Sequence, residues 1–390
     1  MSALYLLEPE PAGAVWAPFA GVRPLSELRA GAWRIRERWE AALDADATAI
    51  LGSHVDGFHD GDEPPVRAVG PIAGPAIIGL SRFAPTGSRV APAVEHRRLV
   101  HEGITVGWIV PAGERWEGGS DKGPALEIEG MLLNGAYDLV TALERLLPAD
   151  CADFRAAPAG PVPEGSLVLG DPADVRCREA VVEPGVLFDV RQGPVVLEPG
   201  SEVRHGTRLE GPVYVGSGTR ILGGAIRGSS FGPHCRAHGE ISTTVFVGYG
   251  NKSHEGFLGH SVVGQWVNLG AGTTTSNLKN TYGSVRLEAG GSRVETGRIN
   301  LGTLFGDHVK TAIGTLLSTG TVVAAGANVF GGRTTPKYVP PFAWGSGGEE
   351  RMTEEGFLLV AERVLARRNV AFSAERRESL RRTFARGVGR

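Results

Sequence analysis

The amino-acid sequence predicts an α/β domain over residues 1–160, a three-sided parallel β-helix over residues 165–345 and a helical extension over residues 350–390. Three observations support this fold class. Small aliphatic residues recur at every sixth position in the middle of the chain. Glycine accounts for 57 of the 390 residues, about twice its usual share. The first 160 residues instead alternate short apolar runs with helical periodicity.

The six-residue period is the strongest of these signals. It indicates one short strand and one tight turn per repeat, with a single inward aliphatic side chain. Three repeats make a coil of about 18 residues, and stacked coils make a triangular prism whose corners favour glycine. The period is unbroken in two blocks, which contain Leu197, Val203, Leu209, Val215 and Ile221, and then Phe305, Thr311, Leu317, Val323 and Val329.

Amphipathic helices are predicted in both flanking parts. The runs ATAILG, AIIGL and ITVGWIV predict strands between the helices of the first domain, which makes it a layered α/β domain. An alanine- and proline-rich linker is predicted at residues 155–166. The C-terminal helices are predicted to be solvated or to brace a trimer. The helical spacings in the first domain are those of Leu28, Ala32, Ile35, Trp39 and Leu43, and of Leu132, Ala136, Leu139, Leu143 and Leu146.

Composition limits the partners and the compartment. The net charge of −3 provides no basic field for nucleic acid. Cys151, Cys177 and Cys235 are too few and too scattered for a disulfide framework, which favours a reducing cytoplasm. No signal peptide and no long apolar run is present, so a cytoplasmic protein without a membrane anchor is expected. His234, Cys235 and His238 lie close together, but without a C-x-x-C pair they are a weak signal for zinc.

A series of motifs in the β-helix resembles a known family. NKSHEGFLG, WVNLGAGT, SNLKNTYG, GDHVKT, STGT and TPKYVPPFAWG follow one another between residues 251 and 345. In this order they resemble the GlmU-like sugar nucleotidyltransferase family, which is related to the bifunctional enzymes that make UDP-N-acetylglucosamine. The resemblance is strong over residues 195–345 and weaker in the first domain. It implies a left-handed β-helix, a homotrimer with active sites between neighbouring prisms, and a sugar phosphate or sugar nucleotide as ligand.

The resemblance also implies an acetyltransferase site around His254. The histidine at this place in the family is the general base that takes a proton from the amine of an amino-sugar phosphate. The amine nitrogen then attacks the thioester of acetyl-CoA. Imidazole suits this step because it is mostly unprotonated near pH 7. Asn277 aligns with an asparagine that orients the base and the substrate, whereas His260 has no corresponding role and is predicted to be structural.

Further ligand contacts follow from the same resemblance. Arg227 aligns with an arginine that binds the substrate phosphate, and its fork of donors suits that role. Lys252 and Lys279 are predicted to contact the sugar phosphate or the phosphates of CoA, with ordinary solvated surface as the alternative. The predicted acetyl-CoA contacts are Gly270, Ala271 and Thr315.

The first domain resembles a sugar nucleotidyltransferase domain with parts missing. Arg23 stands where the family has a nucleotide-binding lysine or arginine, and Asn134 matches a ligand of Mg²⁺. The glycine-rich phosphate loop is absent, and Ser53 stands where an aspartate ligand is expected. Nearby acids are either substitute ligands or part of a solvated loop; they are Asp56, Asp60 and Asp62.

Two hypotheses of function remain after the residues are compared with the family. Phe257 and Leu278 replace family tyrosines, and Ser242 and Thr243 stand where a substrate-binding lysine is expected. The first hypothesis is a transferase that uses acetyl-CoA to acylate an amino-sugar phosphate, with a weakened Mg²⁺-dependent nucleotidyltransferase domain. The alternative is a non-catalytic scaffold or sensor that binds a sugar nucleotide. His254 with its neighbouring motifs favours the first, and the replaced residues favour the second.

Overall fold

The computed structural model of the protein describes residues 2–388 except residues 11, 87–88, 90–96, 154–159 and 333. It contains the α/β domain, the β-helix and the C-terminal helices, so the predicted fold class is confirmed. Residues 155–159 of the predicted linker lie outside the described residues. No helix within the described residues is both long enough and apolar enough to cross a membrane. The helices are α1 (Ile35–Leu43), α2 (Asp138–Ala152), α3 (Glu354–Ala366) and α4 (Ala374–Val388).

A seven-stranded mixed sheet lies at the centre of the first domain. Ala3–Leu7 runs parallel to Ala47–Leu51 on one side and to Ala76–Leu80 on the other. Helix α1 buries Trp39, whose indole Nε1 donates to the carbonyl of Leu80 at 3.1 Å. In spatial order the strands are Ala125–Glu127, Arg98–His101, Ile104–Val110, Ala76–Leu80, Ala3–Leu7, Ala47–Leu51 and Val66–Arg67.

Helix α1 is shorter than its sequence pattern predicts. Leu28 and Ala32 share the helical spacing but lie in a turn and a hairpin. Gly31, with a φ of 70°, closes that hairpin. The Glu37 carboxylate then caps the helix by accepting from the backbone nitrogen of Arg34 at 2.7 Å. The apolar spacing thus marked buried positions rather than a continuous helix. The other short elements are Ala14–Trp16, Leu25–Glu27, Arg29–Ala30, Trp33–Arg34, Ser53–Val55, Ile72–Ala73, Phe83–Pro85, Arg115–Trp116, Gly130–Leu132 and Pro172–Asp174.

Three parallel sheets form the three faces of the β-helix. Each inward side chain stacks on its counterpart in the next coil, as Ile226, Ile241 and Leu258 do on the first face. The ten residues that define the six-residue period are all at most 5% exposed, which confirms the predicted inward positions. Burial of one aliphatic side chain per strand contributes about 1.5–3 kcal/mol. The repeat therefore stabilises the prism coil by coil.

The strands of each face follow in chain order. The first face contains Leu167–Leu169, Leu187–Asp189, Thr207–Glu210, Gly224–Arg227, Glu240–Ser242 and Leu258–Gly259, continued by Thr274–Thr275 and Leu316–Leu317. The second contains Val175–Cys177, Val195–Leu197, Val213–Val215, Ser230–Phe231, Val245–Phe246, Val262–Val263, Leu304–Phe305, Val322–Val323 and Tyr338–Val339. The third contains Val181–Val182, Glu202–Val203, Arg220–Ile221, Arg236–Ala237, Asn251–Lys252, Asn268–Leu269, Lys310–Thr311, Asn328–Val329, Ala343–Trp344 and the antiparallel Glu350–Arg351.

One coil carries an insertion that reaches back to the first domain. Residues 278–300 leave the first face and return before Leu304–Phe305. They include a hairpin, Arg286–Ala289 with Ser292–Glu295. Val285, Leu287 and Val294 from this insertion join the buried core of the first domain. The six-residue period is broken between the two blocks for two reasons. The coils before the insertion are shorter than 18 residues, with Ile226 and Ile241 only 15 positions apart, and the insertion interrupts a later coil.

The C-terminal helices connect the top of the prism to the first domain. Phe357 of α3 and Phe384 of α4 pack on Phe342, with ring centroids 4.9 and 4.6 Å away. Arg382 of α4 forms an ion pair of 2.6 Å with Asp56 in the first domain. Helix α4 is therefore a contact between domains within this chain, and not only a solvated face.

Candidate active site

His254 lies on the edge of the prism where the third face turns into the first, which is called corner 3 below. Successive coils stack closely at this corner, because the backbone nitrogen of Gly272 donates to Glu255 at 3.0 Å and that of Gly314 donates to Ala271 at 2.7 Å. The imidazole of His254 is exposed, and it has no hydrogen-bond partner within the described residues. Corner 3 thus brings the predicted base next to the predicted acetyl-CoA contacts.

The predicted acetyl-CoA contacts form one continuous strip of corner 3. A Cβ added to Gly270 would lie 2.6 Å from the backbone of Ala312, so the coils can approach here only because residue 270 is glycine. Thr315 is buried, and its hydroxyl donates to the Ala312 carbonyl at 2.8 Å. Ile313 beside it is 79% exposed. Thr315 and Ile313 line a narrow cavity of about 30 Å³.

Lys252 differs from the expectation of a ligand-binding side chain. It is 1% exposed and points into the prism, where its Nζ donates to the carbonyls of His254 at 2.7 Å and His238 at 3.0 Å. Burial lowers its pKa to about 8. Lys252 therefore supports the loop that carries His254 and would lose both hydrogen bonds if it contacted a phosphate. Lys279 is half-buried and donates to the Ser284 carbonyl at 2.9 Å.

A second group of polar residues lies at the other end of the first face, at corner 1, where the first face turns into the second. Asn277 donates from its amide nitrogen to Nδ1 of His260 at 2.7 Å. Burial, together with the positive charges of Arg227 and Arg298, lowers the pKa of His260 to about 4. His260 is thus a neutral imidazole at physiological pH, with Nδ1 as acceptor and the proton on Nε2.

Sequence reasoning did not anticipate the contact between His260 and Asn277, although a signal was present. His260 and Asn277 are 17 residues apart, close to the 18 of a regular coil, so they occupy neighbouring rungs of one corner. His260 also has a φ of 48°, a conformation that non-glycine residues seldom adopt. The equivalent residues of the two preceding coils, Gly228 and Thr243, have φ of 52° and 47°.

Arg227 completes corner 1 from the solvent side. Its guanidinium is exposed, and Nε donates to Ser242 at 2.9 Å. Ser242 stands where a lysine is expected from the resemblance. It accepts a hydrogen bond from Arg227, the predicted phosphate contact. Arg298 approaches the same corner from the insertion and pairs with Asp138 of α2 at 3.5 Å. The first domain therefore forms one wall of this corner.

Phe257 lies between the two corners. A Cβ on Gly259 would meet the Phe257 ring at 2.4 Å and the Asn277 amide nitrogen at 3.1 Å. The ring and the amide thus flank Gly259 on the outer side of the first face. His254 and Asn277 are accordingly at opposite ends of one short stretch of the prism surface, with an aromatic ring between them.

Arg23 does not face an open nucleotide site. It is 3% exposed, and it forms ion pairs of 2.9 Å with Asp307 of the β-helix and 2.9 Å with Asp60. A nucleotide phosphate could reach this guanidinium only if the buried pairs opened. Nucleotide binding by Arg23 stays a prediction. The ion pair that Arg23 forms with Asp307 joins the first domain to the β-helix.

The predicted Mg²⁺ ligands do not come together. Asp56 pairs with Arg382, Asp60 with Arg23, and Asp62 with Arg34 at 2.7 Å. Asn134 is exposed, and its backbone nitrogen donates to Asp138 at 2.9 Å. Within the described residues no group of three or more His, Cys, Asp or Glu side chains is placed to hold a metal ion. The donor set therefore does not fit Mg²⁺.

The same holds for the weak zinc signal. The Cys235 thiol is buried inside the prism, and burial raises its pKa to about 11. His234 stacks on Tyr249 with ring centroids 5.0 Å apart. His238 Nδ1 lies 3.4 Å from the Glu255 carboxylate. The three side chains have separate environments and do not form a metal site.

Glu8 fills the place where α/β sheets commonly bind ligands, beyond the carboxyl ends of parallel strands. It follows Ala3–Leu7 directly and is 2% exposed. Its carboxylate accepts from the backbone nitrogens of Leu25 at 2.9 Å and Ser26 at 3.4 Å. Burial raises the pKa of Glu8 to about 7. An internal carboxyl group thus occupies backbone donors that would otherwise be open to a phosphate.

Replacing Glu8 by glutamine is expected to remove a pH dependence of stability. The folded-state pKa of about 7 lies above the ordinary 4.5, so the contribution is fully present below pH 4.5 and is lost as pH rises through 7. The difference amounts to roughly 3 kcal/mol between pH 5 and pH 8. Urea unfolding at both pH values measures it, with exposed Glu129→Gln as the control. An unchanged pH slope in Glu8→Gln would contradict the assignment.

Comparisons with known proteins find partial similarities to sugar nucleotidyltransferases and to bifunctional relatives. Residues 11–71 match the family model described as sugar nucleotidyl transferase. The chain is 32% identical over 93 residues to the bifunctional sugar-1-phosphate nucleotidylyltransferase/acetyltransferase of Sulfurisphaera tokodaii, which covers 24% of this chain and 23% of that protein. It is 28% identical over 140 residues to the bifunctional protein GlmU of Buchnera aphidicola, covering 34% and 23%. It is 26% identical over 184 residues to GlmU of Jannaschia sp., covering 46% and 36%. The matches span about a quarter to a third of these relatives.

Proposed function

We propose that this protein is a transferase that uses acetyl-CoA to acylate the amine of an amino-sugar phosphate on the first face of the β-helix. The observation that carries the proposal is the strip of surface from His254 at corner 3, past Phe257, to the Asn277–His260 pair at corner 1. It combines an exposed imidazole with an oriented amide and an exposed guanidinium. The names of the relatives support the same chemistry.

The proposed mechanism uses one histidine as both base and acid. His254 takes a proton from the substrate amine, and the amine nitrogen attacks the thioester carbonyl carbon of acetyl-CoA. The tetrahedral intermediate then breaks its C–S bond, and His254 returns the proton to the departing thiolate. Arg227 binds the sugar phosphate, and the strip of corner 3 at Gly270, Ala271 and Thr315 holds the acyl donor. Positioning of both substrates provides the remaining rate acceleration.

His260 is proposed to position Asn277. Because the Asn277 amide nitrogen is engaged by Nδ1 of His260, the amide oxygen is left to accept from the substrate amine. Replacing His260 by leucine is expected to lower kcat/KM about tenfold, the effect of one lost hydrogen bond. His260→Asn is expected to keep most of the activity, because its amide oxygen replaces Nδ1 and asparagine tolerates a positive φ. Equal losses in both variants, at unchanged melting temperature, would contradict a positioning role.

The first domain is proposed to support the β-helix rather than to transfer nucleotides. The paired acids, the unsuitable donor set for Mg²⁺ and the buried Arg23 and Glu8 all support this. The whole protein is proposed to be cytoplasmic because its three thiols are free and buried. It is proposed to be a homotrimer because apolar side chains are exposed on the first face, at corner 3 beside it and on the insertion. Light scattering in solution tests the trimer. The exposed apolar side chains are Tyr282, Ile313 and Leu316, which are 72%, 79% and 50% exposed.

A thiol-release assay tests the proposed reaction. Acetyl-CoA and glucosamine 1-phosphate are mixed with the protein, and free CoA is measured together with the melting temperature in each ligand. Acetyl-CoA at 100 times its Kd is expected to stabilise the fold by about 2.7 kcal/mol. The second candidate, a scaffold that binds a sugar nucleotide, is favoured by Phe257 and Leu278 at the family tyrosines. It predicts stabilisation by UDP-N-acetylglucosamine and no CoA release with any amino sugar.

A further inference from the structure

A groove of about 560 Å³ lies on the third face, beneath the end of α3, away from corner 3 and corner 1. Its floor is built from register partners in four adjacent strands, namely Arg236, Asn251, Asn268 and Lys310. Its rim is formed by Arg367 and Arg368, which follow α3. These six residues define what is called the cationic groove below.

The cationic groove concentrates positive charge without counter-ions. Three of its six defining residues are arginines, and no carboxylate lines it within the described residues. Lys310 contributes less charge, because burial lowers its pKa to about 7 and its Nζ donates to the carbonyls of Trp266 and His308. Arg236 and Arg367 form no ion pair in the described part of the chain, whereas Arg34 and Arg36 of the first domain are paired with acids. Burial and the charges of Arg236, Arg220 and Arg367 lower the pKa of Arg368. A cluster of like charges of this kind is unfavourable unless an anion neutralises it.

The polar groups around the charges also point to a ligand. Asn251 donates from its amide nitrogen to the Asn268 amide oxygen at 2.7 Å. This leaves the Asn268 amide nitrogen without a partner in the described residues and open to an acceptor. Tyr249 and Trp266 stack with ring centroids 4.2 Å apart and form a rigid wall of the groove. The groove therefore offers fixed donors between converging cations.

We propose that the cationic groove binds a ligand with two adjacent phosphate groups. Arginine forks bind phosphate oxygens in pairs, and two phosphates would engage Arg236 on the floor and Arg367 and Arg368 on the rim together. Asn268 would donate to an oxygen of the same ligand. The site is separate from the proposed acyl transfer, because its residues lie on the third face and at the end of α3. Inorganic pyrophosphate and a nucleoside diphosphate share this chemistry.

Calorimetric titration of the full-length protein with pyrophosphate, and separately with UDP, tests the proposal. Both are expected to bind the wild type, more weakly at higher salt. Arg236→Gln and Arg367→Gln are each expected to weaken binding about tenfold, which is the loss of one charge-assisted contact. Arg367 is exposed, so its replacement leaves folding unaffected. Arg204→Gln, an exposed arginine of the β-helix paired with Glu202, is the matched control and is expected to bind normally.

The two titrants also identify the source of the phosphates. Equal affinity for pyrophosphate and UDP means that the diphosphate alone is recognised, and tighter binding of UDP means that a nucleotide is the ligand. Either result supports the proposal. It is overturned if neither compound binds, if Arg236→Gln and Arg367→Gln bind as the wild type does, or if only Arg227→Gln at corner 1 abolishes binding.

Discussion

Replacing His254 by alanine is expected to lower kcat for acetyl transfer by roughly 10²–10⁴-fold, the usual contribution of a general base. The reason is geometric as well as chemical. His254 is an exposed imidazole on corner 3 beside the predicted acetyl-CoA contacts, and its loop is held in place by Lys252 from inside the prism. Release of CoA from acetyl-CoA with glucosamine 1-phosphate as acceptor measures the effect. Binding of acetyl-CoA, followed by calorimetry, is expected to change little.

His205→Ala is the matched control for this experiment. His205 is an exposed histidine on the same edge of the prism, several coils away from His254. It is expected to keep wild-type activity, so that a general effect of removing a surface imidazole is excluded. If His254→Ala retained full activity while the wild type released CoA, another group would be the base and the proposed mechanism would be wrong.

Replacing Asp307 by alanine is expected to destabilise the protein by about 3–5 kcal/mol, because it leaves part of a buried cation uncompensated. Asp307 is 5% exposed and binds Arg23 Nε at 2.9 Å and the Gln265 backbone nitrogen at 2.8 Å. Of its two ion pairs, Arg23 would keep the one with Asp60. Thermal unfolding measures the loss, and a decrease of the melting temperature of about 5 °C is expected for a chain of 390 residues.

Asp307→Asn separates charge from hydrogen bonding at the same position. Asparagine keeps an oxygen for the backbone nitrogen of Gln265, but it removes the negative charge and the oxygen that accepts from Arg23. Its cost is expected to lie between zero and that of the alanine variant. Limited proteolysis then reports on the domains, because the pair joins the first domain to the β-helix. A stability of Asp307→Ala equal to that of the wild type would mean that the pair contributes nothing to this junction.

The prism could be predicted from the sequence because its signal is local. Each repeat of six residues buries one side chain. The five inward side chains from Leu197 to Ile221, spaced six residues apart, are all fully buried. The helices of the first domain were predicted with the correct type, but both begin later than predicted, at Ile35 and Asp138. Leu28 and Ala32 are buried by tertiary packing outside α1, and spacing alone does not distinguish these two causes of burial.

The candidate site could be predicted only in part. The order of motifs placed His254 and Asn277 in neighbouring coils, since a stacked repeat brings residues one coil apart together. The direction of each side chain did not follow from the motifs. Lys252 points inward because successive side chains of a strand alternate between the inside and the outside of the prism. His260 meets Asn277 because it lies at a corner where its φ is positive. A shift of one residue reverses such a direction.

The sequence by itself determined the architecture. The six-residue period and the glycine corners are local features, because each coil must bury one side chain per strand and turn at each corner. Only the tertiary structure decided which charged groups are free to act. Arg23 and Asp307 are 284 positions apart, and Asp56 meets Arg382 across almost the whole chain. The strength and availability of a charged side chain depend on the charges and the burial around it, and these are set by whichever segments fold against it.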